Sequence, residues 1–239
     1  MSIHYIEHKN VRISYKIIRK NVKNINLRVT PDLKVVVSSN KRVKEESIVE
    51  FVESKSKWIY EKLKKFENVK SYDNNKKYIS GETVRYLGKQ HMLKVVEDKS
   101  NTVKYFQDKI CIYVEDKNNF KLKEKIYETW LNDRAEEVFK EILDDMYKKV
   151  EPYNVEYPRL TIRKMKTRWG SCNSKKSKIN MNRHLIAAKK TEVEYVMLHE
   201  LVHLIHPNHS KDFYNLLGIL MPDYLKRKEY LDKRAVREI

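Results

Sequence analysis

The chain has 239 residues, with 51 Lys and Arg against 33 Asp and Glu, for a formal net charge of +18. That length suffices for one large or two small domains with real cores, so no disulfide framework is needed, and the two cysteines, Cys111 and Cys172, would not supply one. The first twenty residues lack the apolar stretch and cleavage site of a secretory signal, and no run of 18 apolar residues occurs, which predicts a soluble, cytoplasmic protein without a membrane partner.

In chain order, the first 40 residues predict strands. Arg12–Ile18 and Ile25–Val29 alternate in polarity, and Leu33–Val37 follows a Pro31-Asp32 turn. From Ile48 to Phe66 apolar residues recur at helical spacing and predict one helix, after which the polar stretch 68–77 predicts a break. Strands resume at Thr83–Leu87, Met92–Val96, Thr102–Phe106 and Ile110–Val114. A long amphipathic helix is expected over Lys121–Val150, with a stripe through Ile126, Trp130, Val138, Ile142 and Met146, closed by Pro152 and Pro158. Leu160–Arg163 and Lys178–Asn182 predict strands on either side of a Gly170-Ser171 break. Helices are expected over Glu192–Ile205, Lys211–Leu217 and Asp223–Ala235. No internal repeat is apparent. Strands and helices segregate, which predicts an α+β fold: residues 1–118 form an N-terminal β-rich region with one helix, and 119–239 a C-terminal α+β unit.

The chemistry is carried by His199-Glu-Leu-Val-His203. On a helix, residues four apart share a face, so two imidazoles can bind one ion while Glu200 reaches a water on it. The metal lowers that water's pKa, and the carboxylate takes its proton. Thr191-Glu-Val-Glu194 matches a capping box, and Pro207 disfavours helix at His206, so the motif sits on a helix of the right extent. A catalytic zinc site takes three protein ligands and a water. His206 and His209 compete for the third place. The break at Pro207, with Ser210 offering an N-cap to the next helix, favours His209 swinging back, with His206 behind it or facing substrate.

Eleven Lys or Arg and no Asp or Glu lie between Arg159 and Lys190. Within this block Lys166, Lys175, Lys176 and Lys178 are candidates to bind an anion, which admits a nucleic acid or nucleotide as partner. A hydrolytic transition state gathers negative charge on oxygen and needs donors for it. Arg168, Arg183, His184 and Tyr214 are the candidates. Gly170 suits a bulge or a close backbone approach, and a neighbouring edge strand would align a peptide by β-addition.

Met165-Lys-Thr-Arg-Trp-Gly-Ser-Cys, Ile179-Asn-Met-Asn and His199-Glu-Leu-Val-His-Leu-Ile-His-Pro-Asn-His-Ser resemble the YgjP-like metallopeptidase family. The last segment is also similar to the SprT and WLM proteases, which share the HExxH-x5-H spacing. The resemblance implies a zincin-like fold, one Zn2+ held by His199, His203 and His209, Glu200 as base, and Arg168 near the metal helix. Where the family usually has an aromatic before the arginine near the site, this chain has Asn182-Arg183-His184. The function implied is a zinc metallopeptidase acting on a protein or peptide. A nucleotide pyrophosphatase on the same metal site, and a non-enzymatic nucleic-acid binder with structural zinc, are the alternatives. The last has no use for Glu200.

Overall fold

Alternating inward and outward residues build two sheets of the same topology. The structure, a computed structural model, describes residues 3–30, 32–73, 76–165 and 168–235. Its first sheet contains β1 (Ile3–His8), β2 (Val11–Arg19), β3 (Asn26–Val29) and β4 (Val35–Ser39), in the order β1-β2-β4-β3. The hairpin pairs are antiparallel, and β2 and β4 run parallel between them. Lys9 and Asn10, at φ 49° and 61°, turn the first hairpin in the geometry that matches strand twist. Ile13, Tyr15, Val35 and Val37 point inwards and pack with Ile48, Val52 and Ile59 of two helices, α1 (Glu45–Ser54) and α2 (Ser56–Asp73). The expected single helix is thus two. At Lys55 the backbone leaves helical geometry (ψ 5°), while the Ser54 hydroxyl donates to the Phe51 carbonyl at 2.7 Å, a local bond that competes with helix continuation.

The second sheet comprises β5 (Thr83–Tyr86), β6 (Lys89–Glu97), β7 (Thr102–Phe106) and β8 (Lys109–Val114), in the order β5-β6-β8-β7 with β6 and β8 parallel. Leu87 and Gly88, at φ 48° and 80°, repeat the first hairpin's turn. Burial along β6 follows that along β2 almost residue for residue. The chain therefore contains an internal duplication, which corrects the expectation of none. What the copies share is the set of inward positions and turn conformations. They share few residue types, so the repeat is faint in sequence.

The chain divides into compact units at Met1–Asn75 and Lys76–Arg234. That division falls in the polar stretch 68–77 rather than at the expected 118/119. The reason is packing: Val84, Leu93, Ile110 and Ile112 of the second sheet share one core with Tyr127, Phe139 and Ile142 of α3 (Phe120–Val150). Asn119 caps α3 by accepting from the Leu122 N–H at 3.0 Å. A three-stranded sheet follows, of β9 (Arg159–Arg163), β10 (Gly170–Asn173) and β11 (Lys178–Asn182), in the order β10-β11-β9. The expected break at Gly170-Ser171 is thus the start of an edge strand, antiparallel to β11. Helices α4 (Lys190–Val202), α5 (Lys211–Leu220) and α6 (Tyr224–Ala235) complete an α+β architecture. Among the described residues no helix is long and apolar enough to cross a membrane.

Candidate metal centre

The start of α4 is fixed from two directions. The N–H groups of Leu87 and Gly88 donate to Ile186 and Ala187 at 2.8 and 3.1 Å, tying the β5–β6 turn to the segment that enters the helix. A side chain at Gly88 would collide with Lys189. The cap itself lies two residues before the expected one. Lys189 is the N-cap, and its N–H donates to the Glu192 carboxylate at 3.1 Å. Thr191 and Glu194 fall inside the first turn instead, where Glu194 pairs with Arg227 at 2.7 Å. Buried Val193, Val196, Met197 and Leu201 then set the rotation of the helix.

That rotation presents His199 and His203. Past Val202 the chain tightens, with Leu204 and Ile205 donating three residues back to Leu201 and Val202 at 3.0 Å each, and it leaves the helix before Pro207. Ser210 caps α5 by accepting from the Phe213 N–H at 3.3 Å. This places His209 against the other two, with one ring nitrogen from each of His199, His203 and His209 lying within 4.8 Å of the others. Buried Phe213 underlies all three, its ring centroid 4.9, 4.5 and 4.9 Å from those of His199, His203 and His209.

The donor set suits a metal. His203 Nδ1 stands 3.1 Å from the His206 carbonyl, and donating there leaves the Nε2 lone pair for an ion. His199 and His209 face each other Nε2 to Nε2 at 3.0 Å, where two lone pairs repel unless a proton or a cation is shared. In a tetrahedral zinc site with bonds of roughly 2.05 Å, nitrogens stand about 3.3 Å apart. Burial, followed by the neighbouring His203, His209 and Lys228 charges, holds the His199 pKa down to about 3. His203 is likewise lowered, chiefly by burial. Both imidazoles are therefore neutral, the form that ligates.

Glu200 is 6% exposed and presses against β10. A Cβ added to Gly170 would lie 2.5 Å from its Oε1. Burial pushes the carboxyl up to about 7, opposed by the Arg168 charge. The Cys172 thiol is pushed up to about 12 by burial and then by Glu200, and it lies outside the three-histidine group.

The remaining sequence-derived residues are distributed unevenly. Exposed Arg168 is close enough to act on Glu200, and Tyr214 stacks beside His209 with centroids 6.0 Å apart. Arg183 is 4% exposed and committed elsewhere: it pairs with Glu128 at 2.5 Å and donates to Asn132 Oδ1 at 3.1 Å. His206 contributes its carbonyl, and the rings of His206 and His184 lie outside the three-histidine group. Lys175 and Lys176 occupy the turn after β10 and Lys178 opens β11, at the end of β10 remote from Gly170, roughly 10 Å along the strand. Lys166 lies outside the described residues.

Sequence reasoning missed Asn182. Its buried amide donates to the Met165 and Arg168 carbonyls at 2.7 and 3.0 Å, while its oxygen accepts from the Met165 and His184 N–H groups at 3.3 and 3.2 Å. One side chain thus ties both ends of the segment carrying Arg168 to the end of β11. Inward periodicity marks position 182, but nothing local reveals which carbonyls it meets.

Curated proteins provide no match. The solved structures that overlap part of the chain include two described as metallopeptidase zymogens. Abylysin of Pyrococcus abyssi is 17% identical over 42% of this chain and 98% of that one, with a TM-score of 0.38. Jannalysin of Methanocaldococcus jannaschii is 20% identical over 40% and 95%, with a TM-score of 0.35. The profile of the YgjP-like metallopeptidase domain spans residues 23–234, and the chain belongs to that family.

Proposed function

We propose that the chain is a zinc-dependent peptidase in which His199, His203 and His209 hold the ion and Glu200 is the general base. One observation carries the proposal: three imidazoles converge at the end of the helix that also bears a buried carboxylate of raised pKa. A zinc ion bound there supplies a Lewis acid for the scissile carbonyl and acidifies the attacking water. Glu200 takes the proton from that water and delivers it to the departing amine nitrogen. Arg168, whose charge acts on Glu200, and Tyr214, stacked beside His209, are the donors we assign to the oxygen that gathers charge. Edge strand β10, which passes beside Glu200 at Gly170, is available to align an extended protein or peptide substrate by backbone pairing.

The test compares wild type and Glu200→Gln, both loaded with zinc, on unfolded proteins and on nucleoside triphosphates. The expected result is proteolysis by wild type, lowered about 10²–10⁴-fold in the variant at unchanged zinc content. Phosphate or pyrophosphate release without proteolysis would assign the site to nucleotides instead.

A further inference from the structure

The duplication repeats more than a topology. In the first sheet, Lys16 of β2 pairs in register with Val36 of β4, which pairs with Arg28 of β3. In the second, Lys94 of β6 pairs with Cys111 of β8, which pairs with Lys104 of β7. Each sheet therefore carries, at equivalent positions, an outward row of two cations flanking a half-buried residue of the central strand. The cations stand about 10 Å apart, two strand spacings. All four are exposed, and none has an ion-pair partner among the described residues.

Aromatic rings accompany both rows. Lys104 Nζ lies 5.6 Å from the Tyr113 ring centroid, and Phe106, next outward on β7, is 65% exposed. On the first sheet Tyr5 is 51% exposed with the Arg12 guanidinium 4.0 Å from its ring centroid. Glu7 shares that face, in register with Arg12, and Asp98 follows β6 near Lys104. Cations outnumber acids on both faces, on a chain of net charge +18.

We infer that these outward sheet faces bind single-stranded nucleic acid, the cation rows meeting phosphates and the exposed rings stacking on bases. Neither element explains the other. A solvated charged face has no need of a two-thirds exposed Phe106, and an apolar docking patch has no need of unpaired cations. A flexible strand with a polyanionic backbone and unstacked bases satisfies both. The inference is independent of the peptidase chemistry and of the Arg159–Lys190 block.

Fluorescence anisotropy of the full chain with labelled 20-nucleotide oligothymidylate and oligouridylate, in a series of salt concentrations, tests it. Lys94→Gln with Lys104→Gln, and separately Lys16→Gln with Arg28→Gln, should each weaken binding at least about tenfold at low salt. Each pair should reduce the slope of log affinity on log salt by about 1.4, from roughly 0.7 per phosphate contact. Phe106→Ala should weaken binding about fivefold or more with the slope unchanged, as loss of stacking requires. Circular dichroism on each variant confirms an intact fold. No binding by wild type, unchanged binding in both pair variants, or loss only on replacing Lys175, Lys176 and Lys178 overturns the inference. Equal affinity for a duplex of matching sequence, or for phosphatidylserine vesicles, overturns it as well.

Discussion

Replacing Gly170 with Ala adds one methyl group where β10 meets the proposed base. The new Cβ would stand 2.5 Å from Glu200 Oε1, 2.7 Å from Cγ and 2.8 Å from Cδ, against ordinary contacts of about 3.5 Å. Something must yield by about 1 Å. The backbone of Gly170 is held in register with Met181, and α4 is locked by buried Leu198, Leu201 and Val202, so the Glu200 side chain moves. Overpacking of this kind costs about 1–3 kcal/mol of stability, and a 1 Å misplacement of a reacting group about 10²-fold in rate. The methyl meets the carboxylate and not the imidazoles, so zinc content should hold. The assay is kcat/KM for cleavage of an unfolded protein by wild type, Gly170→Ala, Glu200→Gln and the double variant, with zinc measured in each. In the Glu200→Gln background the added methyl should cost no further rate, because both changes act on one group. Wild-type turnover in Gly170→Ala, or a loss of zinc that explains its defect, refutes the reasoning.

His209→Ala should lower zinc affinity at least about 100-fold in a competition titration with a chromophoric chelator, whereas His206→Ala, which keeps the carbonyl that His203 uses, should leave it unchanged. Burial alone would push Glu128 up, but Lys164 and Arg183 outweigh it and hold the carboxyl below its ordinary value. A lowered acid contributes stability above its unfolded pKa and loses it as pH falls. Glu128→Gln, which strands Arg183, should therefore cost about 3 kcal/mol in urea unfolding at pH 7, a difference that shrinks below about pH 4. A difference constant from pH 7 to pH 3 would contradict that account. Asn182→Leu should cost about 2–4 kcal/mol by the same unfolding assay, since the buried amide loses its bonds to the partly buried Met165 and Arg168 carbonyls and to the Met165 and His184 N–H groups. A loss under 1 kcal/mol would show that water replaces the amide.

The sequence was most legible where one local rule decided the outcome. Short runs of strand-forming residues between polar turns located β5 to β8 to within a few residues, and four-residue spacing located α3. His199 and His203 were legible because one helix carries both, and His209 because Pro207 and Ser210 fix the path between. Legibility failed where long-range partners decide. The α4 cap looked equally good at Thr191, but the pull of the β5–β6 turn on Ile186 and Ala187 starts the helix at Lys190. Gly170-Ser171 looked like a break because a strand that must leave room for Glu200 cannot advertise itself with a β-branched residue. Arg183 looked like a free cation because Glu128 is 55 residues away along the chain.

The two matched hairpin turns differ in what they can absorb. Lys9 and Asn10 are exposed, and extra residues between them would be taken up by solvent at little cost. Leu87 and Gly88 have the same conformation in the same topology, yet their N–H groups are engaged by the segment leading into α4. An insertion there would detach that segment and let the start of the histidine-bearing helix drift, although the insertion is far from the histidines in sequence. For anyone fitting this protein with a tag or reporter, one hairpin is a permissive port and its duplicate is a hinge pin.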